Sequence, residues 1–398
     1  MSNINSELSI RLNTLTIFRG LLDDPVISDL KDLLWMVGES EDTKATVSAY
    51  SAFAALLYEE GGNLSSYMLR AVLDDENFYV KMTAAGRTPT QPMEECLDRE
   101  LELLQEISQL QSSQVTMYIG YHGFLPSWDT EPCDLPAEYR KRLADLPSHG
   151  FGIFAKYHTF SVKDGHVVPV KYPDTQRMDQ LFGYERERQR IITNTMALIE
   201  GRGCNNMLLY GDAGTGKSST IKAVANEYAD RGLRLVEIKK NQLFQIPEVV
   251  EELSASPLKF IIYIDDLSFS SNDDNFSTLK AMLEGSVSTS GDNIAIYATS
   301  NRRHLLKETM ADREGDELHI NDTLQETMSL AARFGLTITF QRPGKEEYLH
   351  IVDELAKQYG VEMDSDELHT KAEAHATRNS GRSPRTAKQF IELLKSGL

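Results

Sequence analysis

Residues 207–218 read Met-Leu-Leu-Tyr-Gly-Asp-Ala-Gly-Thr-Gly-Lys-Ser, an apolar run ending at Gly211, four residues, then Gly216-Lys217-Ser218. That is the spacing of a phosphate-cradling P-loop. Backbone amides can close around a polyphosphate only where no Cβ intrudes, and a helix starting near Lys217 aims its positive dipole end at the same oxygens. The loop therefore offers Gly211, Asp212, Ala213, Gly214, Thr215, Gly216, Lys217, Ser218 and Ser219 as phosphate contacts. Lys217 is expected to reach the β- and γ-phosphates, and Ser218 to ligate Mg²⁺. A flexible Gly-rich turn would carry the same glycines. It would not follow a buried-strand pattern (Met207 to Tyr210) and precede a helix with Ile221, Val224 and Ala225 on one face.

Outward from the loop, apolar β-type runs at 207–210, 233–238, 259–264, 293–299 and 336–340 alternate with helical patterns. This is the signature of a parallel sheet covered on both faces. The third run, KFIIYI, ends in Asp265-Asp266. Two carboxylates after a buried strand are costly unless they serve a site at its carboxyl edge, where open α/β sheets bind ligands. Asp265 is placed to hold Mg²⁺, directly or through water, and Asp266 to orient or deprotonate an attacking water. The fourth run ends in ATSN, which puts the short amide of Asn301 at the same edge. After Gln341-Arg342-Pro343-Gly344 the strands stop, and helical segments at roughly 345–359, 365–378 and 384–396 suggest a small lid.

Taken with Arg333 in LAARFG and Arg385 in GRSPRTAKQF, these segments resemble the AAA+ ATPases over roughly Met178 to Leu398. The resemblance identifies GDAGTGKS as Walker A, IIYIDD as Walker B, and Leu181 to Glu185, with Gly183 and Tyr184, as the segment beside adenine. It implies ATP with Mg²⁺, Asn301 as sensor 1, Arg385 as the lid arginine of sensor 2, and Arg333 as a finger acting on a neighbouring copy's nucleotide. It further implies self-assembly, with a hexamer as the expected form. More narrowly, YGDAGTGKSS, FIIYIDDLSF, IYATSNRRHL and GRSPRTAKQF resemble a bacterial family of ATP-binding proteins catalogued only as a domain of unknown function. Two departures matter. Asp266 stands where many AAA+ members carry Glu, and KKNQLFQIP lacks the signature of polypeptide-threading loops. Hydrolysis that drives conformational change on a client, and an ATP-gated scaffold with negligible hydrolysis, both remain open at this stage. A GTPase is disfavoured, because no Asn-Lys-x-Asp motif appears.

The 398 residues are 41% hydrophobic and 25% charged, ordinary for a folded chain of more than one domain. With 41 Lys and Arg against 60 Asp and Glu, the formal charge is -19, which opposes generic adhesion to nucleic acid or anionic lipid. Cys96, Cys133 and Cys204 are too widely spaced for a zinc site or a disulfide framework. No secretory leader or membrane-length apolar run is visible, so a cytoplasmic protein is expected. The predicted organisation is a mainly helical N-terminal domain, 1–175, ending in a β-hairpin (152–161 and 166–171, turn at Lys163-Asp164-Gly165). A P-loop core over 176–342 and a helical lid over 343–398 follow. The N-terminal domain is the expected recruiter of a protein client.

Overall fold

The computed structural model describes residues 4–267, 278–280, 283, 292–301, 332–379 and 381–397. They form two compact units, Met1–Lys156 and Tyr157–Leu398.

The first unit is helical: α1 (Ile4–Leu12), α2 (Pro25–Glu39), α3 (Thr43–Glu59), α4 (Leu64–Asp74), α5 (Phe78–Ala84), α6 (Gln91–Ser108), α7 (Ser112–Thr116) and α8 (Leu135–Ala144). Two four-residue helices, α9 (Leu146–His149) and α10 (Ile153–Lys156), close it. Asp24, Asp42, Asn63, Asn77 and Asp134 each accept a hydrogen bond from the first turn of the helix they precede, so sequence punctuation sets the starts. The α6 stripe Leu97, Leu101, Leu104 and Ile107 is buried in the core of this unit, where α6 packs against α1, α4 and α8. Trp128, in the irregular stretch before α8, is buried between Tyr50 and Phe53 and donates to the Leu110 carbonyl at 2.8 Å.

The second unit is built on one seven-stranded sheet: β1 (Thr159–Lys163), β2 (His166–Pro169), β3 (Met207–Gly211), β4 (Leu233–Ile238), β5 (Lys259–Ile264), β6 (Ile294–Ser300) and β7 (Leu336–Phe340). The order is β2-β1-β4-β5-β6-β3-β7, parallel throughout except the β1/β2 hairpin. The sequence reading places this hairpin in the N-terminal domain, and here the structure corrects it. Thr159 to Ser161 pair in parallel with Leu235 to Glu237, so the hairpin extends the sheet and the unit starts at Tyr157. Its turn is as expected, with Asp164 and Gly165 both in the left-handed region that a two-residue hairpin requires. Residues 153–156, expected within the first strand, are helical.

Helices α11 (Glu185–Ile199), α12 (Lys217–Glu227) and α13 (Ile246–Ser254) accompany the strands, and α14 (Lys345–Tyr359), α15 (Ser365–Arg378) and α16 (Pro384–Lys395) form the lid. The lid has its own core of Tyr348, Ile351, Val352, Leu368, Ala372, Phe390 and Ile391. Asp364 caps α15, and Ser383, followed by Pro384 at the first helical position, caps α16. Strand β6 separates the P-loop strand β3 from the acid-bearing strand β5. This α/β P-loop core with its helical lid is the architecture that the resemblance to AAA+ ATPases implies.

Candidate functional site

At the carboxyl ends of β3, β5 and β6 a cleft of about 370 Å³ opens towards the lid. Its walls come from the segment 180–184, the P-loop 213–219, Asp265 and Asp266, Thr299 and Asn301, and the lid residues Ile351, Leu355 and Arg385. The strand order brings together groups that lie far apart in the sequence.

The three loop glycines serve three different purposes. Gly211, at φ +141°, lies so close to β7 that an added Cβ would sit 2.0 Å from the Phe340 carbonyl oxygen. It is required by packing within the sheet, and the Asp212 amide donates to that same carbonyl at 3.1 Å. Gly214 faces the lid, where a Cβ would meet Ser383 Oγ and Arg385 Cβ at 3.2 Å. Gly216, at φ +91° immediately before α12, has open space on its Cβ side. It alone matches the simple cradle argument.

Lys217 is buried, and its Nζ donates to the carbonyls of Gly211 (2.9 Å) and Asp212 (2.7 Å) and to Asn301 Oδ1 (3.0 Å). Burial pulls the ammonium down to about 8, against the opposing charges of Asp212, Asp265 and Asp266. A cation so held gains from any anion brought beside it. Ser218 Oγ donates to Asp265 Oδ1 at 2.8 Å. Burial would raise the Asp265 carboxyl, but hydrogen bonds from Thr299, Ser218 and the Asp266 amide outweigh it and keep it below the usual carboxylate value. Asn301 donates from Nδ2 to Asp266 Oδ1 at 2.9 Å while accepting Lys217 on its other atom, so it links ammonium and carboxylate.

Thr299 escaped the sequence reading. Its hydroxyl donates to Asp265 Oδ1 at 2.6 Å and accepts the Asp266 amide at 3.0 Å, and its carbonyl accepts from Leu267. Asp266 itself stands at φ +48°, left-handed for a residue with a side chain. Such strain persists only where its surroundings hold it, and here Thr299 and Asn301 do.

At the other end, Tyr184 also has a positive φ, +59°, and its ring packs against Phe340 while its hydroxyl donates to Gln341 O at 2.6 Å. Gly183 approaches the lid so closely that a Cβ would lie 2.8 Å from Ile351. Arg188 lines the cleft, is buried in α11 and donates to the carbonyls of Leu181 and Gly183. Asn226 of α12 ties down the preceding linker through the carbonyls of Asp174 and Gln176, both at 2.9 Å. Asp212 accepts the Arg342 amide at 3.1 Å, joining the loop to the start of the lid.

Of the predicted residues, Ala213 to Ser219, Asp265, Asp266, Asn301, Gly183, Tyr184 and Arg385 line the cleft. Gly211 and Asp212 buttress it from behind. Arg333 does not line it: it is half-buried just before β7, at the amino edge of the sheet, whereas the loop follows the carboxyl edge. A five-residue strand separates the two by about 16 Å. Arg302 and Arg303 lie outside the described residues.

Residues 154–398 match the model of the family described as Protein of unknown function (DUF815), well over half of the chain. The chain belongs to this family. No curated protein matches it significantly. Among solved structures, the Thermotoga maritima RuvB Holliday junction branch migration motor is similar at 16% identity and a TM-score of 0.39, covering 56% of this chain and 64% of that one. A point variant of the same RuvB gives 17% identity and a TM-score of 0.39 over the same shares. The chain thus spans just under two thirds of the RuvB chain, and a likeness this distant carries nothing about what this DUF815 member does. No helix among the described residues is long and apolar enough to cross a membrane, and no cluster of three His, Cys, Asp or Glu suited to a metal occurs among them.

Proposed function

We propose that the protein binds ATP with Mg²⁺ in this cleft and hydrolyses it, using the change in lid and neighbour contacts to act on a protein client recruited by residues 1–156. The observation that carries this reading is the meeting of Lys217, Ser218, Asp265, Asp266 and Asn301 at one carboxyl edge. Ser218 and Asp265 supply the hydroxyl and carboxylate oxygens, already adjacent, that suit a hard cation with few protein ligands. When bound there, Mg²⁺ supplies charge neutralisation to the phosphate oxygens. Lys217 and the amides about Gly216 bind the polyphosphate, and Tyr184, Gly183 and Ile351 form the base end. Asp266, held by Asn301, orients the attacking water and takes its proton. Arg385 approaches from the lid, and Arg333 of one copy serves a neighbouring copy's site.

Lys217→Ala tests the assignment directly. With nucleotide at about 100 times its dissociation constant, linkage gives the wild type roughly 2.7 kcal/mol of stabilisation, and the variant is expected to gain almost none. Equal thermal shifts of the two proteins with Mg-ATP would defeat the reading. Wild-type binding without phosphate release, with or without excess protein, would instead favour the gated scaffold, to which the short side chain of Asp266 is suited.

A further inference from the structure

The N-terminal unit exposes an aromatic segment that its own core leaves out. Trp128 is taken up by that core, yet Met117, Tyr118, Tyr121 and Phe124 remain 70, 48, 46 and 87% exposed within eight residues. Apolar side chains concentrated in this way on a soluble surface mark an interaction site more often than chance exposure does. The segment runs along α3. A Cβ at Gly120 would lie 3.9 Å from Thr43 Oγ1 at the start of that helix, and Tyr50 and Tyr58 donate to the carbonyls of Pro126 and Ser127 further along it.

Charge tells what would cover it. Residues 1–156 hold 24 Asp and Glu against 12 Lys and Arg, so this unit carries most of the chain's net charge of -19. No lysine or arginine occurs between Arg99 and Arg140, nor between Lys44 and Arg70. The aromatic segment and the body of α3 are therefore free of cations. Exposed Glu39, Glu41 and Asp42 precede α3, Glu59 and Glu60 end it, Glu60 paired with Arg70 at 3.1 Å, and exposed Asp129, Glu131 and Asp134 follow the aromatic segment. Aromatic faces attract guanidinium and ammonium groups, and carboxylates around them add long-range attraction.

We infer that residues 117–124 and the acidic surface beside them are the docking site for a lysine- and arginine-rich segment of a partner protein that also carries apolar anchors. The inference rests on the client-recruiting part of the proposed function, but not on hydrolysis. Phosphodiester backbones and anionic lipids are repelled here, whereas a basic amphipathic peptide meets both the rings and the charge.

The test uses the full chain and three labelled synthetic 16-residue peptides: an amphipathic Lys/Leu peptide, oligo-lysine of equal charge, and the Lys/Leu peptide with Glu in place of Lys. Fluorescence anisotropy is expected to show binding of the first only, weakening steeply as salt rises. The double variant Tyr118→Ser/Phe124→Ser, checked for an unchanged melting transition and an unchanged Mg-ATP thermal shift, is expected to bind it at least tenfold more weakly. Glu39→Gln/Glu41→Gln is expected to weaken it less and to flatten the salt dependence. If oligo-lysine binds as tightly as the Lys/Leu peptide, or the aromatic variant binds like wild type, the docking site is refuted while the nucleotide reading stands.

Discussion

At the scale of single residues, the candidate chemistry depends on one hydroxyl as much as on the acids beside it. Thr299 fixes Asp265 by donating to it and fixes Asp266 by accepting its amide. Thr299→Val keeps the shape and removes both bonds, taking a charge-assisted hydrogen bond from Asp265 and leaving the Asp266 amide with only Asp265 Oδ1 as acceptor. A loss of about 1–3 kcal/mol in stability is expected, measured by denaturant titration. Turnover at saturating ATP should fall tenfold or more, with little change in nucleotide affinity, and Thr299→Ser should recover most of it. A valine variant with wild-type turnover would remove Thr299 from any positioning role. The threonine was illegible in the sequence for a definite reason. Ser and Thr at a strand end read as turn residues. Only the β5/β6 register, with Ile264 opposite Ala298, sets residue 299 beside residue 265. Lys217, Ser218 and Asp265 were legible because their spacing is local or ends a strand that announces itself.

Among the elements, the P-loop is a junction of strand, helix and lid, and its glycines answer to different neighbours. Gly211→Ala drives a methyl into the Phe340 backbone, which cannot move without unzipping β7. A destabilisation beyond about 3 kcal/mol is expected, whether or not nucleotide is present. Gly216→Ala meets no atom, so it should cost only the left-handed strain of about 1–2 kcal/mol while abolishing the Mg-ATP thermal shift. Chemical denaturation of both variants separates the roles, and a Gly211→Ala protein as stable as wild type would refute the packing argument. The core strands and the lid helices were readable to within a residue or two, since continuous apolar runs and capped amphipathic helices are local signals. The hairpin's place in the sheet was not. Its partner β4 lies some 70 residues further on, and nothing local to Thr159–Lys163 names that partner.

For the whole molecule, the role proposed for Arg333 is the one that requires a second copy. Arg333 sits at the amino edge of the sheet, away from its own cleft. A guanidinium acting on the phosphates of a neighbour stabilises developing charge, an effect worth about 10³-fold or more in rate. Arg333→Ala is expected to retain nucleotide affinity and lose turnover, as should Asp266→Asn. Mixing the two should restore part of the activity, because some interfaces then pair an intact arginine with an intact carboxylate. Turnover per subunit that stays constant on dilution to a confirmed monomer would end the shared-site reading. The overall charge was readable from composition, but its concentration around an exposed aromatic segment was not, because only the structure separates buried Trp128 from its exposed neighbours.

The pairing of β1 with β4 has a consequence for how copies of this protein meet. Uncovered, β4 would offer a six-residue row of backbone donors and acceptors, a template for strands from other molecules. The hairpin covers Leu235 to Glu237 on that flank and ends the sheet in β2, only four residues long and closed by Pro169, which has no amide hydrogen to give. On that side the sheet is finite. An edge this short disfavours the open-ended addition of strand to strand, so any association of copies across it is left to side-chain contacts that can open again.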